Sequence, residues 1–374
     1  MKKNKRIIIS VTNDLSTDQR VKKVCESLLK LDYDLLLIGR ILPESLAINR
    51  PYSCKRLKLI FNKGPLFYAE YNLRLFILLL FSKADIFHAN DLDTLLANFI
   101  AAKLRGKTIV YDSHEYFTEV PEIQHKKFVK KTWQIIEGYI FPKLEYIFTI
   151  NQSIANLYQQ KYNKKLIILR NIPRKLNLQQ RKTKLELGIP MGKDIIILQG
   201  AGINMDRGAE ELIEAMKYLK NTFLLIIGDG DVIKSLKKKV LILNLKDSVL
   251  FKGKMPYLEM MQYTKHAQLG ITLDKDTNIN YKFSLPNKLF DYIQAGIPIL
   301  ASKIEEVEKV IKNYEIGLLI DNHEPIHIAE KIQFALSHKE SIKKWTINLE
   351  TAAKELNWEN EETFLIETYK KIER

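Results

Sequence analysis

Two basic side chains, Lys288 and Arg207, each stand beside backbone signals that start a helix, and together they mark out a place for an anion. Lys288 lies in SLPNKLFDYIQAGIP, Ser284 to Pro298. Pro286 suits the first turn of a helix, where its missing N–H costs nothing, and Gly296 with Pro298 stops that helix and opens the next strand. An ammonium in the first turn is close to the partly positive amide end, so a phosphate there meets a charge and backbone N–H groups together. Asp291 follows three residues on, along the same helix face. Arg207 closes a second motif. The strand-like run IIILQ, Ile195 to Gln199, enters GAGINMDRG and leads into an apolar helical pattern of Leu212, Ile213, Met216 and Leu219. Gly200 and Gly202 let backbone approach an anion closely, and a guanidinium at the helix start can fork onto phosphate oxygens. Gly200-x-Gly202 also begins a dinucleotide fingerprint, but Met205 stands where its third glycine belongs.

The elements that must position these groups follow from the apolar runs. In the first half they are RIIISV (Arg6 to Val11), DLLLIG (Asp34 to Gly39), DIFHA (Asp85 to Ala89), TIVYD (Thr108 to Asp112), YIFTI (Tyr146 to Ile150) and LIILR (Leu166 to Arg170). Helical patterns between most of them argue for a parallel sheet with right-handed crossovers. Binding residues gather at the carboxyl ends of such strands, where the chain places Thr12-Asn13-Asp14, Asn90-Asp91 and Ser113-His114-Glu115. With 374 residues and 46% apolar content the chain can bury two cores, and polarity rises over Arg170 to Lys182, which marks the hinge. The expected domains are residues 1–172, 173–356, and a C-terminal amphipathic helix over 357–374.

From about Asp194 to Asn322 the chain resembles the donor domain of retaining family-4 glycosyltransferases of the GT-B fold, and the resemblance covers nearly the whole chain. It rests on Gly200, Gly202 and Arg207 after the domain's first strand, Gly228-Asp229-Gly230 after FLLII, Phe251-Lys252-Gly253 before Met255 and Pro256, and Asp291 five residues before the Gly-x-Pro step. The usual pair of glutamates eight apart is replaced by Phe283 and Asp291, and Ala201 stands where a basic residue often follows the first glycine. A subgroup with Ser-x-Pro-x-Lys in place of the first acid, here Ser284, Pro286 and Lys288, resembles the chain in both respects. The resemblance implies an α/β protein of two Rossmann-like parallel-sheet domains facing across a cleft, the final helix returning to the first domain. It implies a nucleoside-diphosphate sugar as co-substrate, no other cofactor and no metal. Arg207 and Lys288 would hold the diphosphate, Asp291 the ribose, and Gly200, Gly202, Gly228, Gly230, Phe251, Gly253 and Asn287 the rest of the donor. His114, in Asp-x-His-Glu, resembles the family's sugar-contacting histidine, with Glu115 beside it; a strand-end histidine satisfied by backbone is the structural alternative. Asn13, Asp14, Asp18 and Arg20 would border the acceptor, although Asp18 also reads as a helix cap.

Charge is uneven. Residues 1–175 carry 30 Lys and Arg against 16 Asp and Glu, whereas the remainder carries 29 against 28, so nearly all of the net +15 lies in the first half. A cationic first half suits an anionic membrane leaflet, a polyanionic acceptor or nucleic acid. Two segments mix apolar residues with charge: LFYAEYNLRLFILLLF (Leu66 to Phe81) and KKFVKKTWQIIEGYIFPK (Lys126 to Lys143), with Trp133 among lysines. These favour a peripheral membrane surface, the alternative being solvated faces over core stripes. Aromatic and basic residues do not interleave in a nucleic-acid motif, so no nucleic-acid partner is expected. The longest apolar run, Leu75 to Phe81, is far too short to span a bilayer. The opening run ends in Thr-Asn-Asp and reads as a strand, not a signal peptide. Cys25 and Cys54 are too few for a disulfide framework, which fits a cytoplasmic protein at the inner face of a membrane. The expectation is a retaining transferase of a hexose-type sugar to a cell-envelope polysaccharide or lipid-linked glycan. Its alternatives are a nucleotide-sugar 2-epimerase of similar fold and a non-catalytic basic protein that binds nucleic acid or membrane.

Overall fold

The computed structural model describes residues 5–373. Its strands grow from the apolar runs. In the first half these are β1 (Arg6–Asp14), β2 (Asp34–Ile41), β3 (Ser53–Lys58), β4 (Ile86–Asn90), β5 (Thr108–Ser113), β6 (Tyr146–Thr149) and β7 (Ile167–Ile168). They form one parallel sheet in the order β3-β2-β1-β4-β5-β6-β7. In the second half β8 (Asp194–Gly200), β9 (Thr222–Gly228), β10 (Val249–Lys252), β11 (Leu269–Thr272), β12 (Ile299–Ser302) and β13 (Gly317–Ile320) form a second parallel sheet, β10-β9-β8-β11-β12-β13. The isoleucine runs of β1 and β8 are buried throughout, because crossover helices cover both faces of a parallel sheet. The chain divides into two compact units. The first holds the residues up to Asn171 and those from Glu361 onward, and the second runs from Ile172 to Asn360.

Some strands differ from expectation. β3 was not apparent, because SCKRLK alternates charge on an edge strand and only Leu57 is buried. LIILR yields only the two-residue β7. β1 runs on to Asp14, so Thr12, Asn13 and Asp14 end that strand instead of following it.

Each sheet reverses its winding at one place. β1 lies between β2 and β4, and β8 lies between β9 and β11, so the loops leaving each central strand and its fourth-strand neighbour diverge. The carboxyl ends of strands at such a switch point are where α/β units bind ligands. In the second unit these ends are Gly200 and Thr272, and in the first they are Asp14 and Asn90.

The helix Asn287–Ala295 is fixed onto the second sheet at that point. Pro286 occupies its N-cap, and Gly296 closes it with φ 71°, a left-handed turn that lets the N–H groups of Gly296 and Ile297 reach the carbonyls of Ile293 and Tyr292. Leu289, Phe290, Tyr292 and Ile293 are buried, each contributing about 2 kcal/mol of apolar burial. The Tyr292 hydroxyl lies 3.1 Å from the carbonyls of both Ile197 in β8 and Ile271 in β11. Its ring covers Gly270, where a Cβ would come within 2.4 Å of it. One face of the helix is therefore locked across the two switch-point strands, which sets where Lys288 can reach.

The final helix, Trp358–Glu373, joins the first unit from Glu361 onward. Glu361 accepts hydrogen bonds from the Arg170 backbone N–H and Nε, both at 2.8 Å, Glu362 accepts one from Ser27 Oγ at 2.6 Å, and the buried Tyr369 hydroxyl lies 2.6 Å from His88 Nδ1. No helix among the described residues is long and apolar enough to cross a membrane.

The turn after β9 tests this packing. Gly228 has φ 130°, and a Cβ there would stand 1.8 Å from the Gly200 carbonyl oxygen. Gly228→Ala is expected to destabilise the second unit by about 3 kcal/mol, through strain and backbone overlap. A melting temperature within a degree of wild type would refute this account of the turn.

Candidate functional site

In the second unit the two cations meet on an acid that the motifs did not reveal. Asp274, two residues beyond β11, is fully buried. Its Oδ2 accepts from Arg207 Nη1 at 3.0 Å, and its Oδ1 lies 3.4 Å from Lys288 Nζ. Arg207 arrives from the loop after β8, and Lys288 from the first turn of the locked helix. The adjacency of β8 and β11 places Asp274 between them. The Arg207 guanidinium also lies over the Tyr281 ring, 4.0 Å from its centre, a cation–π contact. Burial pulls the Lys288 pKa down; Asp274 opposes this, and the Arg207 charge adds to it. One carboxylate against two cations leaves a surplus positive charge in a partly desolvated place. Arg207 Nε, Thr272 Oγ1 and Ser284 Oγ are also buried there without a hydrogen-bond partner, and such atoms seek one.

Asp291 belongs to a neighbouring network. Its Oδ2 accepts from Gln199 Nε2 and its Oδ1 from the Tyr257 hydroxyl, both at 3.1 Å. Gln199 Oε1 in turn accepts from Thr264 Oγ1 at 2.7 Å. Burial pushes the Tyr257 phenol far up, and the Asp291 charge adds to the shift. Asp291 is thus presented by a hydrogen-bonded frame next to the Gly200 loop.

The glycine turns hold this frame together. Asp229 N–H donates to the Gly200 carbonyl and Ile203 N–H to the Asp229 carbonyl, at 3.2 and 2.9 Å, while a Cβ on Gly230 would fall 2.0 Å from the Ile203 oxygen. Lys254 Nζ reaches Asp229 at 3.5 Å, which brings Gly228-Asp229-Gly230 beside Gly253. Phe251 turns its ring into the core, whereas Gly202, Gly253 and Asn287 are exposed. Phe283, at the first-acid position, is half-buried at the end of the short helix Ile279–Lys282.

In the first unit, His114 is held by two acids from neighbouring strand ends, not by backbone alone. Its Nδ1 lies 3.0 Å from Asp91 Oδ2 and its Nε2 3.2 Å from Asp112 Oδ2, while its backbone N–H donates to Asp91 Oδ1 at 2.8 Å. Burial opposes a charged ring, but the two carboxylates outweigh it and raise the pKa to about 10. The two carboxylates thus favour the charged ring, with both of its nitrogens directed at them. Arg20 does not border an acceptor surface. It is buried, forks onto Asp112 at 2.7 and 3.0 Å, and donates to the Leu169 carbonyl at 3.0 Å. Glu115, next to His114, has its pKa pushed up to about 8 by burial and then by nearby acids.

Asn13, Asp14 and Asp18 form a separate network. Asn13 donates to Asp18 at 3.0 Å, Asp18 caps the helix Gln19–Leu29 through Val21 N–H, and Asp14 accepts from Ser16 and Ser45 hydroxyls at 2.9 and 2.7 Å. Trp133 is buried as well, in edge contact with Tyr68 and Phe117, so it is not a membrane-facing tryptophan.

Comparison with known proteins gives these groups their context. Residues 179–351 match the family model of glycosyl transferases group 1. No curated protein matches the sequence. Among solved structures, sucrose-phosphate synthase from Thermosynechococcus elongatus is similar over 99% of both chains with a TM-score of 0.78 at 16% identity. Anabaena Alr3699/HepE in complex with UDP and glucose is similar over 98% of this chain and 100% of that one, TM-score 0.76, at 14% identity. A protein from Listeria monocytogenes described as a putative UDP-N-acetylglucosamine 2-epimerase is similar over 92% of this chain and 91% of its own, TM-score 0.63, at 11% identity. The fold is GT-B. The matched family and the fold support a glycosyltransferase.

Two outcomes follow from these networks. Asp274→Asn leaves two partly buried cations without their counter-charge and should cost about 3 kcal/mol. Pyrophosphate should then raise the melting temperature of Asp274→Asn by more than it raises that of wild type, and a diphosphate that shifts neither would contradict the anion site. His114, raised from 6.5 to about 10, stabilises the fold fully below pH 6.5, and that contribution is lost as pH rises through 10. The stability advantage of wild type over His114→Gln should therefore shrink between pH 7 and 10, by on the order of 3 kcal/mol in denaturant titrations. A difference independent of pH would show that the ring is not held as an imidazolium.

Proposed function

We propose that the protein is a retaining glycosyltransferase that moves a hexose-type sugar from a nucleoside diphosphate to a cell-envelope polysaccharide or lipid-linked glycan. It works at the inner face of a membrane and without a metal. The observation that carries this reading is the convergence of Arg207 and Lys288 on one buried carboxylate, in a unit that mostly matches glycosyl transferases group 1.

The chemistry follows from charge. When the anomeric carbon parts from the diphosphate oxygen, positive charge builds on the sugar and negative charge on the leaving group. Cations already fixed at the phosphates favour that transition state over the ground state. Arg207 and Lys288 take this role, with the first-turn amides of the helix Asn287–Ala295 beside them. The acceptor hydroxyl forms its bond to the anomeric carbon on the face the diphosphate leaves, which retains configuration, and its proton passes to a diphosphate oxygen. Asp291, framed by Gln199 and Tyr257, holds the ribose hydroxyls. His114, held between Asp91 and Asp112 in the first unit, orients the sugar.

Arg207→Ala and Lys288→Ala should each lower turnover by roughly 100-fold, the effect of removing one charge-stabilising donor. Folding should survive in both. The first test is a thermal-shift screen of UDP-, GDP- and ADP-sugars in the absence of metal, followed by sugar transfer with the donor that binds. Wild-type turnover in either variant would refute the diphosphate assignment. Release of a free epimer without any acceptor would move the protein to the epimerases that share its fold.

A further inference from the structure

A groove in the first unit stands apart from the charged networks. It lies between the helices Gly64–Phe81 and Lys127–Ile140, has a volume of about 270 Å³, and is lined chiefly by Tyr68, Ala69, Phe128, Val129, Trp133 and Ile136. The polar side chains on its walls are spent on the protein itself. Asn72 Nδ2 donates to the carbonyls of Tyr68 and Asp93 at 2.9 and 2.7 Å, and Thr132 Oγ1 donates to the Phe128 carbonyl at 2.9 Å. What the groove offers a ligand is hydrocarbon and aromatic surface. Phe128, 84% exposed at its edge, continues the apolar lining to the surface.

The surroundings indicate the kind of occupant. Lys63, Lys126, Lys127 and Lys131 flank the lining residues in sequence and are all exposed. Of the acids nearby, Glu70 pairs with Arg74 at 2.7 Å and Glu119 with Lys130 at 2.8 Å, while Asp93, Glu115 and Glu122 act on Tyr68. An apolar slot with a cationic margin complements an anionic amphiphile. A volume of about 270 Å³ suits one alkyl chain.

We infer that this groove binds the hydrocarbon chain of a phosphate-carrying lipid acceptor, with the phosphate against the lysines. The inference rests on the reading of the first unit as the acceptor side and narrows the acceptor to a lipid-linked one.

The test titrates the full-length protein with hexyl, octyl and decyl phosphate below their micelle concentrations, following Trp133 fluorescence with Trp133→Phe as the blank. Affinity should rise about fourfold per added methylene until the groove is filled. Ala69→Phe, which fills the groove from an exposed position, should weaken decyl phosphate at least tenfold. Lys126→Glu with Lys127→Glu should weaken decyl phosphate more than decyl maltoside. Affinity independent of chain length, or unchanged in Ala69→Phe, overturns the inference. So does binding that appears only with phosphatidylglycerol vesicles and survives Ala69→Phe, which would make the surface a membrane contact. The nucleotide-sugar thermal shift of Ala69→Phe should equal that of wild type. If no nucleotide sugar shifts even the wild type while decyl phosphate still binds by chain length, the groove stands and the transferase reading falls.

Discussion

The buried carboxylate of Asp274 is the constraint on which the second unit is organised. Taking a guanidinium, an ammonium and a carboxylate out of water costs several kcal/mol per ion, and their mutual attraction offsets this only when geometry is close. Much of the local backbone serves that geometry. Gly208, next to Arg207, adopts φ 70° and lies so near the end of β11 that a Cβ would fall 2.3 Å from the Leu273 carbonyl oxygen. The Arg207 loop is thereby pressed against the strand end that carries Asp274. On the other side, the Tyr292 hydroxyl bridging β8 and β11 fixes the helix that carries Lys288. The three charges meet because two glycines allow close approach and one tyrosine sets the register.

The two units apply the same topology to different electrostatic ends. Both sheets reverse at their first strand, and both gather ionisable groups there. In the first unit the charges are matched: His114 sits between Asp91 and Asp112, and Asp112 is held far below the usual carboxylate range by Arg20 and His114, which overcome its burial. Asp93, its pKa pushed up to about 7 by burial and the Asp91 charge, accepts from Thr12 Oγ1 at 2.6 Å. In the second unit the match is incomplete, with two cations on one acid. That surplus positive charge distinguishes the second unit, while the first unit's net charge lies outward, on exposed lysines. Electrostatics thus divides the labour more sharply than fold does.

Much of this was legible in the residues. The aliphatic runs marked six of the seven strands of the first sheet and β8 and β9 of the second, and the Pro286 and Gly296 boundaries gave the helix Asn287–Ala295 to within a residue, with Lys288 in its first turn. Where legibility failed, the cause was physical. β3 was missed because an edge strand exposed to water need not be apolar. Asp274 was missed because a single acid after the short run LGIT carries no spacing signal; only the position of that run next to β8 makes it a partner for Arg207. The ring partners of His114 were not legible because the chain distance between Asp91 and Asp112 hides that β4 and β5 are neighbours.

The sequence by itself therefore determined the local chemistry: which segments extend, where helices start and stop, and which cations stand beside helix starts, all of which depend on side chains within a few residues of one another. Tertiary structure alone decided the pairings. Strand order brought Asp274 between Arg207 and Lys288, closed both nitrogens of His114, and buried Trp133 against Tyr68 while leaving Phe128 exposed. Each of these depends on which strands and helices become neighbours, a property of the whole sheet that no local spacing encodes.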